Sequence, residues 1–478
     1  MEFSDEAVLR FSAGDTTQAE LFNALLSPEC LYEAYEAKFK KSSAKGVDRT
    51  AGSQFSANAV NELVAVSRKV GNMTFRFSPY LESLKAKGRS KPPRLIGIPT
   101  IRDRIVLCQL NRFLAAIFPA CVPKNVASGY VRIIAEDISK TPLTGTWVCG
   151  TDIKSFYDDI PRDKLVDALA VEVNCDEAIA LVRHALKTPI VPSNTARSDH
   201  AGYRTKKGVP QGLAISNILA AIYLADVDKA LRAMPVSYFR YVDDALIYGS
   251  KANVNAAHLL LGNMLTAKGL SLHDLESEKT SIVEATSQFS YLGYVFKLPL
   301  ITVRDSTIER FLQAVAAKFT DFKYGKNRLI KKFDYLDESR VMDIFLLELN
   351  EKITGAVSEN KRYGWVSYFN QINDFSLLAR MDLVISRMFG RLPEFSGKAP
   401  KELKTLRRSY YEMKYRATGG YVHNYDVILD RTQKLVFLVE RGRIGPREQL
   451  TDDEITQRYE VYRARVLKEM NADEGVVY

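Results

Sequence analysis

The sequence predicts an α+β protein on three observations. Helical periodicity dominates both ends of the chain, strand-like segments cluster in the first 300 or so residues, and the longest helical stretch follows Val303. A chain of 478 residues is too long for one core and predicts several packed regions. It contains no run of about 18 apolar residues, and its first ten residues lack a signal-peptide core. We therefore expect no membrane span and a cytoplasmic location.

The pattern along the chain predicts helices, a basic hairpin and several strand–turn units. Amphipathic spacing predicts four early and middle helices: Ala19–Lys41, Ala57–Val70, Arg102–Phe118 and Val254–Lys268. Strand signals, some followed by a turn or helix, occur in six segments: Phe75–Leu84, Leu95–Pro99, Trp147–Asp152, Lys206–Leu224, Ser237–Tyr248 and Phe289–Phe296. The pattern after Val303 is mainly helical as far as Gly390.

The net charge indicates which partners the chain could bind, and the cysteine and histidine positions indicate which kinds of site it lacks. The net charge of +10 and the pI of about 9.1 favour binding of phosphate backbones, although a basic soluble protein would have the same values. Five scattered cysteines without a C-x-x-C pair and five dispersed histidines argue against disulfides, a zinc site or a Cys/His nuclease domain.

Three acidic residues form the main candidate site. Asp152 ends an apolar strand, and Asp243 and Asp244 lie between two apolar strands. Clustered carboxylates repel one another unless a cation neutralises them, and Mg²⁺ prefers such oxygen ligands. Because successive strand residues point to opposite faces, we expect Asp243 to join Asp152 as the main ligand and Asp244 to contribute less. For two adjacent acids alone, a solvated turn would be the preferred explanation, and the motifs around them favour the metal site instead.

These motifs occur in a fixed order around the acids. They are Arg94-Leu-Ile-Gly-Ile-Pro, Asp152 with Phe156 and Tyr157, Gly208-Val-Pro-Gln-Gly, Tyr241-Val-Asp-Asp and Phe289-Ser-Tyr-Leu-Gly-Tyr. The set spans roughly Lys45 to Gly293 and resembles the reverse transcriptases, specifically the bacterial group II intron-like branch. A weaker, thumb-like resemblance continues to Asp382.

The resemblance implies a right-hand polymerase fold. Fingers and palm, built from antiparallel sheet plus helices, would precede a helical thumb and a C-terminal extension. The boundaries we expect are an N-terminal helical segment at 1–44, fingers at 45–135, palm at 136–300, thumb at 301–395 and a basic, tyrosine-rich extension at 396–478.

The resemblance also implies roles for individual residues. Catalysis would use Asp152, Asp243 and Asp244, which with Ile153 would hold two Mg²⁺ ions, for which Mn²⁺ could substitute. Nucleotide contacts would come from six residues: Tyr157, Gln211, Arg94, Lys91, Ile153 and Phe156. The Tyr157 ring would exclude a 2′-hydroxyl, and a core tyrosine on a palm strand is the less favoured alternative. Lys279 is either a general acid toward pyrophosphate or a surface lysine.

The implied function is synthesis of DNA from dNTPs on an RNA template. The chain departs from the family in having Ser216-Asn217 where Ser-Pro is frequent, which indicates a divergent branch. No zinc-type endonuclease follows the thumb-like region, so we do not expect independent retrohoming. The chain resembles stand-alone, defence-associated reverse transcriptases with an extra C-terminal region, which implies a dedicated non-coding RNA as template and a role in defence against phage. Retron and intron-maturase enzymes are the nearest alternatives. A silent RNA-binding module and an RNA-directed RNA polymerase are alternatives of other classes, and a homo-oligomer is left open.

The C-terminal region carries two further hypotheses. Basic residues alternate with tyrosines from Lys401 to Tyr425, which suits phosphate contact with base stacking, or equally a helix whose tyrosines cover the thumb. A charged helix is predicted over Leu450–Met470, and the last residues should be flexible. The terminal Tyr478 is a hypothetical protein primer, because a polymerase without a nucleic-acid primer needs another hydroxyl.

Overall fold

The structure, a computed structural model, describes residues 2–86, 92–275, 277 and 279–473. Its helices, in chain order, are α1 Glu2–Ser12, α2 Gln18–Leu25, α3 Pro28–Ala34, α4 Gly52–Phe55, α5 Ala59–Gly71, α6 Ile101–Ile117, α7 Ala127–Ile138, α8 Phe156–Asp159, α9 Arg162–Ala170, α10 Asp176–Lys187, α11 Ser216–Tyr223, α12 Ala225–Arg232, α13 Lys251–Ala267, α14 Asp305–Lys332, α15 Glu338–Thr354, α16 Trp365–Tyr368, α17 Phe375–Met388, α18 Leu406–Tyr415, α19 Arg431–Glu440 and α20 Asp452–Asp473. Its strands are β1 Tyr80–Lys85, β2 Arg94–Ile98, β3 Thr146–Asp152, β4 Ile190–Val191, β5 Ser237–Tyr241, β6 Asp244–Ser250, β7 Ser281–Glu284, β8 Phe289–Tyr291, β9 Tyr294–Lys297, β10 Leu300–Val303, β11 Ala356–Ser358, β12 Lys361–Tyr363 and β13 His423–Asn424.

The chain folds into two compact units. Unit 1 contains residues 1–124 and 147–282, and unit 2 contains residues 125–146 and 283–478. The backbone therefore passes between the units at three points. None of the helices in the described part of the chain combines the length and the apolar character needed to cross a membrane.

Unit 1 is built around a sheet with the strand order β5-β6-β3-β7. Strands β5 and β6 form an antiparallel hairpin in which Tyr241 pairs with Asp244. Four consecutive residues of β6, from Ala245 to Tyr248, are buried, which is typical of a strand covered on both faces. The strand ends of this sheet carry the predicted acids.

A second sheet of unit 1, with the order β2-β1-β4, packs with the helix that follows it. Strands β1 and β2 are antiparallel, whereas β1 and β4 are parallel. Helix α6 begins after Thr100, whose side chain accepts a hydrogen bond from the Asp103 backbone N–H (3.3 Å). Its buried residues lie on most sides of the helix, as expected for a helix inside a core.

Unit 2 is organised by the long helix α14. Its buried residues Phe311, Val315, Phe319 and Phe322 recur every three or four positions and form one apolar stripe. The rings of Phe319 and Phe322 pack on Phe345 of α15, with centroid distances of 5.2 and 4.6 Å. Two small sheets, β10-β9-β8 and β12-β11-β13, complete the unit together with helices α18 to α20.

The α+β class is confirmed, whereas some local predictions are wrong. The single helix predicted over Ala19–Lys41 is interrupted at Ser27, whose side chain caps α3 by accepting from the Cys30 N–H (3.3 Å). The strand predicted over Phe289–Phe296 is a hairpin, because Leu292 and Gly293 adopt positive φ angles of 49° and 82°.

Two further segments differ from the prediction. Residues 206–215 contain no strand and lead instead into α11. The hairpin β11–β12 interrupts the helical stretch predicted after Val303.

Candidate active site

Two of the predicted acids come together where β3 ends beside the β5–β6 turn. Asp152 is the last residue of β3, and Asp243 lies in the turn. The N–H of Ile153 donates to the carbonyl of Asp243 (3.1 Å), and the N–H of His273 donates to the carbonyl of Asp152 (3.2 Å). The first hydrogen bond fixes the end of β3 against the hairpin, in which Asp244 begins β6, and the second fixes it against the segment that follows α13.

The turn that carries Asp243 is strained and is held by a buried ion pair. Val242 has a φ of 57°, a left-handed conformation that is costly for a β-branched residue. Nη1 of Arg240 donates to the Val242 carbonyl (2.7 Å). The other edge of the guanidinium binds both carboxylate oxygens of Asp228 (2.7 and 2.5 Å), and Tyr238 donates its hydroxyl to Asp228 (2.8 Å). Arg240, which the sequence analysis missed, therefore braces the turn.

The carboxylate of Asp243 has little compensation for its charge. Its Oδ1 is buried and has no hydrogen-bond partner among the residues that the structure describes. Burial, followed by the nearby carboxylates of Asp244 and Asp152, raises the pKa of Asp243 to about 7. A carboxylate oxygen without a hydrogen-bond partner, close to two other acids, is a suitable ligand for a divalent cation.

A complete ligand set is not formed. Within the described ranges, no three His, Cys, Asp or Glu side chains are arranged so that they could hold a metal ion. The assignment of Asp152, Ile153, Asp243 and Asp244 as metal ligands thus stays a prediction.

Asp152 is in direct contact with two basic side chains. Nζ of Lys279 forms an ion pair with Oδ2 of Asp152. Nε2 of His273 lies 3.5 Å from the same oxygen, and burial lowers the pKa of His273, which favours the neutral ring. The Lys279 side chain is 43% exposed, so it reaches Asp152 from the rim of the site. Its role as a general acid stays a prediction.

Tyr157 is held in place by a residue that the sequence analysis noted only as a departure from the family. Its hydroxyl donates to Oδ1 of Asn217 (2.6 Å). Burial, followed by the charge of Asp243, raises the pKa of Tyr157, whereas Arg94 lowers it. Tyr157 and Arg94 therefore lie in the electrostatic environment of the acids, as predicted contacts of the nucleotide would.

The loop that contains Gln211 is joined to β2 by close backbone packing. The Gln211 carbonyl accepts from the N–H of Gly97 (2.8 Å), and Nε2 of Gln211 donates to Asp158 (3.3 Å). Gly212 has a φ of 101°, and a Cβ there would lie 2.6 Å from the Gly97 carbonyl oxygen. Gly208, with a φ of 90°, approaches the Asp158 carbonyl equally closely. The two glycines of the motif are thus required by packing.

The remaining predicted residues are either buried or outside the described residues. Ile153 and Phe156 are 2% and 3% exposed and belong to the core of unit 1. Any contact they make with a nucleotide or an ion would use backbone atoms. Lys91, in the basic loop, and Tyr478, the hypothetical primer, lie outside the described residues.

Comparison with known proteins places the site within a matched domain. Residues 85–296 match the family model described as reverse transcriptase (RNA-dependent DNA polymerase). The group II intron-encoded protein LtrA of Lactococcus lactis subsp. cremoris is 25% identical over 233 residues, which are 47% of this chain and 37% of LtrA. An uncharacterized 91 kDa protein in the cob intron of Schizosaccharomyces pombe is 35% identical over 163 residues, covering 32% of this chain and 19% of that protein.

The matched range includes the three acids, Tyr157, Gln211 and Lys279. Among solved structures, the apo telomerase from Candida tropicalis, truncated from its C-terminal domain, is 14% identical. Its match covers 53% of this chain and 60% of the telomerase, and its TM-score of 0.36 is too low to support an argument. This chain spans little more than a third of LtrA. The matched domain confirms the predicted palm-and-fingers fold, since residues 85–296 match the reverse transcriptase family model and the chain is similar to group II intron-encoded protein LtrA.

Proposed function

We propose that this chain is an RNA-directed DNA polymerase that makes cDNA by two-metal phosphoryl transfer. The main support is the junction of β3 with the β5–β6 turn, where Oδ1 of Asp243 is buried without a hydrogen-bond partner among the described residues and lies near Asp152 and Asp244. An acidic cluster on a braced, strained turn has no evident structural purpose, because a neutral residue would fold there at lower cost.

The acids would bind the metal ions, and a lysine would donate a proton. Asp152, Asp243, Asp244 and the carbonyl of Ile153 would hold Mg²⁺, or Mn²⁺ as its substitute. When bound, these ions neutralise developing charge and lower the pKa of the attacking hydroxyl. Lys279, beside Asp152, would give a proton to the departing pyrophosphate.

Nucleotide selection would depend on a second group. Arg94 and Lys91 would bind the triphosphate through charge-assisted hydrogen bonds, and Gln211 would contact the nascent base pair. Tyr157, held by Asn217, would lie under the sugar and exclude a 2′-hydroxyl, which favours dNTPs over ribonucleotides.

Primer extension on an RNA template tests the proposal. The wild-type protein should incorporate dNTPs, should discriminate against ribonucleotides and should lose activity in Asp243→Asn. An RNA-directed RNA polymerase would use ribonucleotides, and a silent RNA-binding module would use neither. Equal incorporation by wild type and Asp243→Asn would contradict the assigned site.

The proposal extends to a dedicated non-coding RNA template and to antiviral defence in the cytoplasm, supported by the family resemblance alone. Retron-type and intron-maturase roles are the alternatives. Sequencing of the RNA and DNA that co-purify with the protein should give one RNA and its complement, and random cellular RNA would contradict a dedicated template. Phage plating on cells expressing wild type or Asp243→Asn should show protection by the wild type only.

A further inference from the structure

Helix α18 shows that the tyrosines of the basic C-terminal segment divide between two faces. One face packs in unit 2 through the buried residues Leu406, Ser409, Tyr410 and Met413. The Tyr410 hydroxyl lies within hydrogen-bond distance of the Ile372 carbonyl (2.6 Å), and its ring meets the edge of a neighbouring phenylalanine. For Tyr410, the expectation that tyrosines cover the underlying helices is therefore correct.

The opposite face presents two exposed aromatic rings. Tyr411 and Tyr415 are 50% and 63% exposed, and their ring centroids lie 5.1 Å apart. Arg407 is exposed one turn before Tyr411. Lys414 is half-buried at the edge of this face: its Nζ donates to the Tyr410 hydroxyl (3.1 Å) and lies 5.8 Å from the centre of the Tyr415 ring. These four residues, Arg407, Tyr411, Lys414 and Tyr415, are called the α18 outer face.

The charge around this face is strongly positive. Residues 401–416 contain six basic and two acidic residues. One of the acids, Glu412, is engaged by Nε of Arg408 (3.3 Å), and the Arg408 guanidinium also stacks on the ring of Tyr421 (4.3 Å). The phosphate groups of a nucleic acid would complement this excess of positive charge.

We propose that the α18 outer face binds single-stranded RNA, with bases stacking on Tyr411 and Tyr415 and phosphates contacting Arg407 and Lys414. The choice of RNA as the ligand rests on the proposed function. The site itself lies outside residues 85–296, which match the polymerase domain. Exposed rings one helical turn apart are suited to the open faces of unpaired bases, which a duplex does not offer. None of the four residues is aliphatic, as the anchors of an amphipathic protein partner would be.

Binding of an unstructured, fluorescein-labelled RNA of about 20 nucleotides to the full-length protein tests the stacking. Tyr411→Ala/Tyr415→Ala should raise the Kd about tenfold or more, because each ring lost removes one stacking platform. The matched control, Tyr411→Phe/Tyr415→Phe, keeps both rings and should bind as the wild type does. A double-stranded RNA of the same length should bind the three proteins equally. An unchanged Kd in the alanine variant, with its melting temperature also unchanged, would overturn the proposal.

Two further measurements locate the contact. Arg407→Ala should reduce the slope of log Kd against log salt by about one, whereas Arg407→Lys should retain it. Ultraviolet cross-linking followed by mass spectrometry should find RNA attached to the peptide that contains Tyr411 and Tyr415. Cross-links confined to other peptides would contradict the site.

These results are separable from the proposed function. If the wild type incorporates no nucleotide but cross-links at α18, the polymerase proposal fails and the RNA site stands. If the wild type extends a primer on a homopolymer RNA while the double alanine variant binds RNA normally, the polymerase proposal stands and the RNA site fails.

Discussion

Buried carboxylate oxygens in the two units have different partners, although burial raises the pKa of both Glu351 and Asp243. In unit 2, Glu351 is 4% exposed, and both of its oxygens have partners: the Tyr425 hydroxyl donates to one, and Nη2 of Arg441 lies 3.4 Å from the other. In unit 1, Asp243 has a buried oxygen without a hydrogen-bond partner among the described residues, and acidic neighbours that raise its pKa to about 7.

We interpret Glu351 as a carboxylate with a structural role and Asp243 as one with a functional role. A buried carboxylate with hydrogen bonds and a guanidinium is neutralised by the fold itself. A buried carboxylate oxygen beside two other acids destabilises the fold until a cation binds, so its presence indicates a role outside folding. Asp228, paired with Arg240 in the same unit as Asp243, shows that unit 1 can also neutralise an acid fully.

The largest expected effect is the loss of activity in Asp243→Asn. We expect primer extension to fall on the order of 10³-fold or more, because a neutral amide cannot neutralise a catalytic cation. Without divalent ions at pH 8, the melting temperature should not fall, since the change removes an uncompensated charge. Asp274→Asn is the matched control, because Asp274 is an exposed acid paired with Lys154. If Asp243→Asn were destabilised but kept its activity, Asp243 would have a structural role, contrary to this prediction.

Glu351→Gln should have the converse effect, on stability and not on chemistry. It leaves the buried Arg441 without its carboxylate, which typically costs about 3–5 kcal/mol. Urea unfolding in a Trp147→Phe background, where tryptophan fluorescence reports on Trp365 of unit 2 alone, measures this change. Glu469→Gln, which removes a partly exposed partner of Lys318, should cost less than about 1 kcal/mol. Equal losses of unfolding free energy in the two variants would show that the buried Glu351–Arg441 pair contributes no more to stability than the partly exposed pair.

Bracing of the turn can be tested by relieving its strain. Arg240→Lys should lower kcat by about tenfold or more, because a lysine cannot bind both oxygens of Asp228 and the Val242 carbonyl together. Val242→Gly removes the cost of the left-handed φ. The double variant should therefore recover part of the lost kcat, whereas additive losses would contradict the bracing role. Arg232→Lys, at an exposed position, controls for the conservative exchange.

The two regions should also respond to pH in opposite directions. The pKa of Asp243 is raised, so the folded chain keeps a proton that the unfolded chain loses above about pH 4. Without divalent ions, this group makes stability fall as the pH rises from about 4 to 7. Burial lowers the pKa of His423 to about 3. Below about pH 6.5, the unfolded chain therefore binds a proton at this residue, whereas the folded chain does not bind it until the pH approaches about 3. This group makes stability fall as the pH decreases from about 6.5 to 3.

Melting temperatures from pH 4 to 8 separate the two contributions. The advantage of Asp243→Asn over the wild type should grow up to about pH 7, and that of His423→Phe should grow below about pH 6.5. Parallel curves for either variant and the wild type would exclude its group as a source of the pH dependence.

The smallest effect should come from Asn217. Asn217→Ala removes the hydrogen bond that holds Tyr157, so discrimination between dCTP and CTP should fall by a few-fold. Tyr157→Phe keeps the ring but loses the same hydrogen bond. Its ratio of kcat/KM for dCTP to kcat/KM for CTP should therefore equal that of Asn217→Ala. The double variant should lose no more than either single variant, and a further loss would show that the two residues act independently.

Local patterns predicted the elements that carry the acids, but not what supports those acids. The strand ending at Asp152 and the Ser237–Tyr248 hairpin follow from apolar runs, and the family motifs predicted that they meet. The partners of Arg240 and Lys279 depend on long-range packing, which no local period encodes. Arg240 nevertheless gave a signal, as a charged residue in an apolar strand beside the Tyr241 motif. The hairpin within 289–296 was missed because its turn, Leu292-Gly293, lies inside one segment rich in aromatic and aliphatic residues.

The triple passage of the backbone between the units limits how the protein can be divided. A cut after residue 282 would leave residues 125–146 in the amino-terminal fragment, although they belong to unit 2. That fragment would then display the apolar side of α7, including Val131, Ile134 and Ile138, which are buried in the intact chain. On the ribosome, this side stays uncovered until synthesis is well past residue 283. We expect such truncated fragments to aggregate when expressed alone, and the missing half, supplied in trans, to restore their solubility.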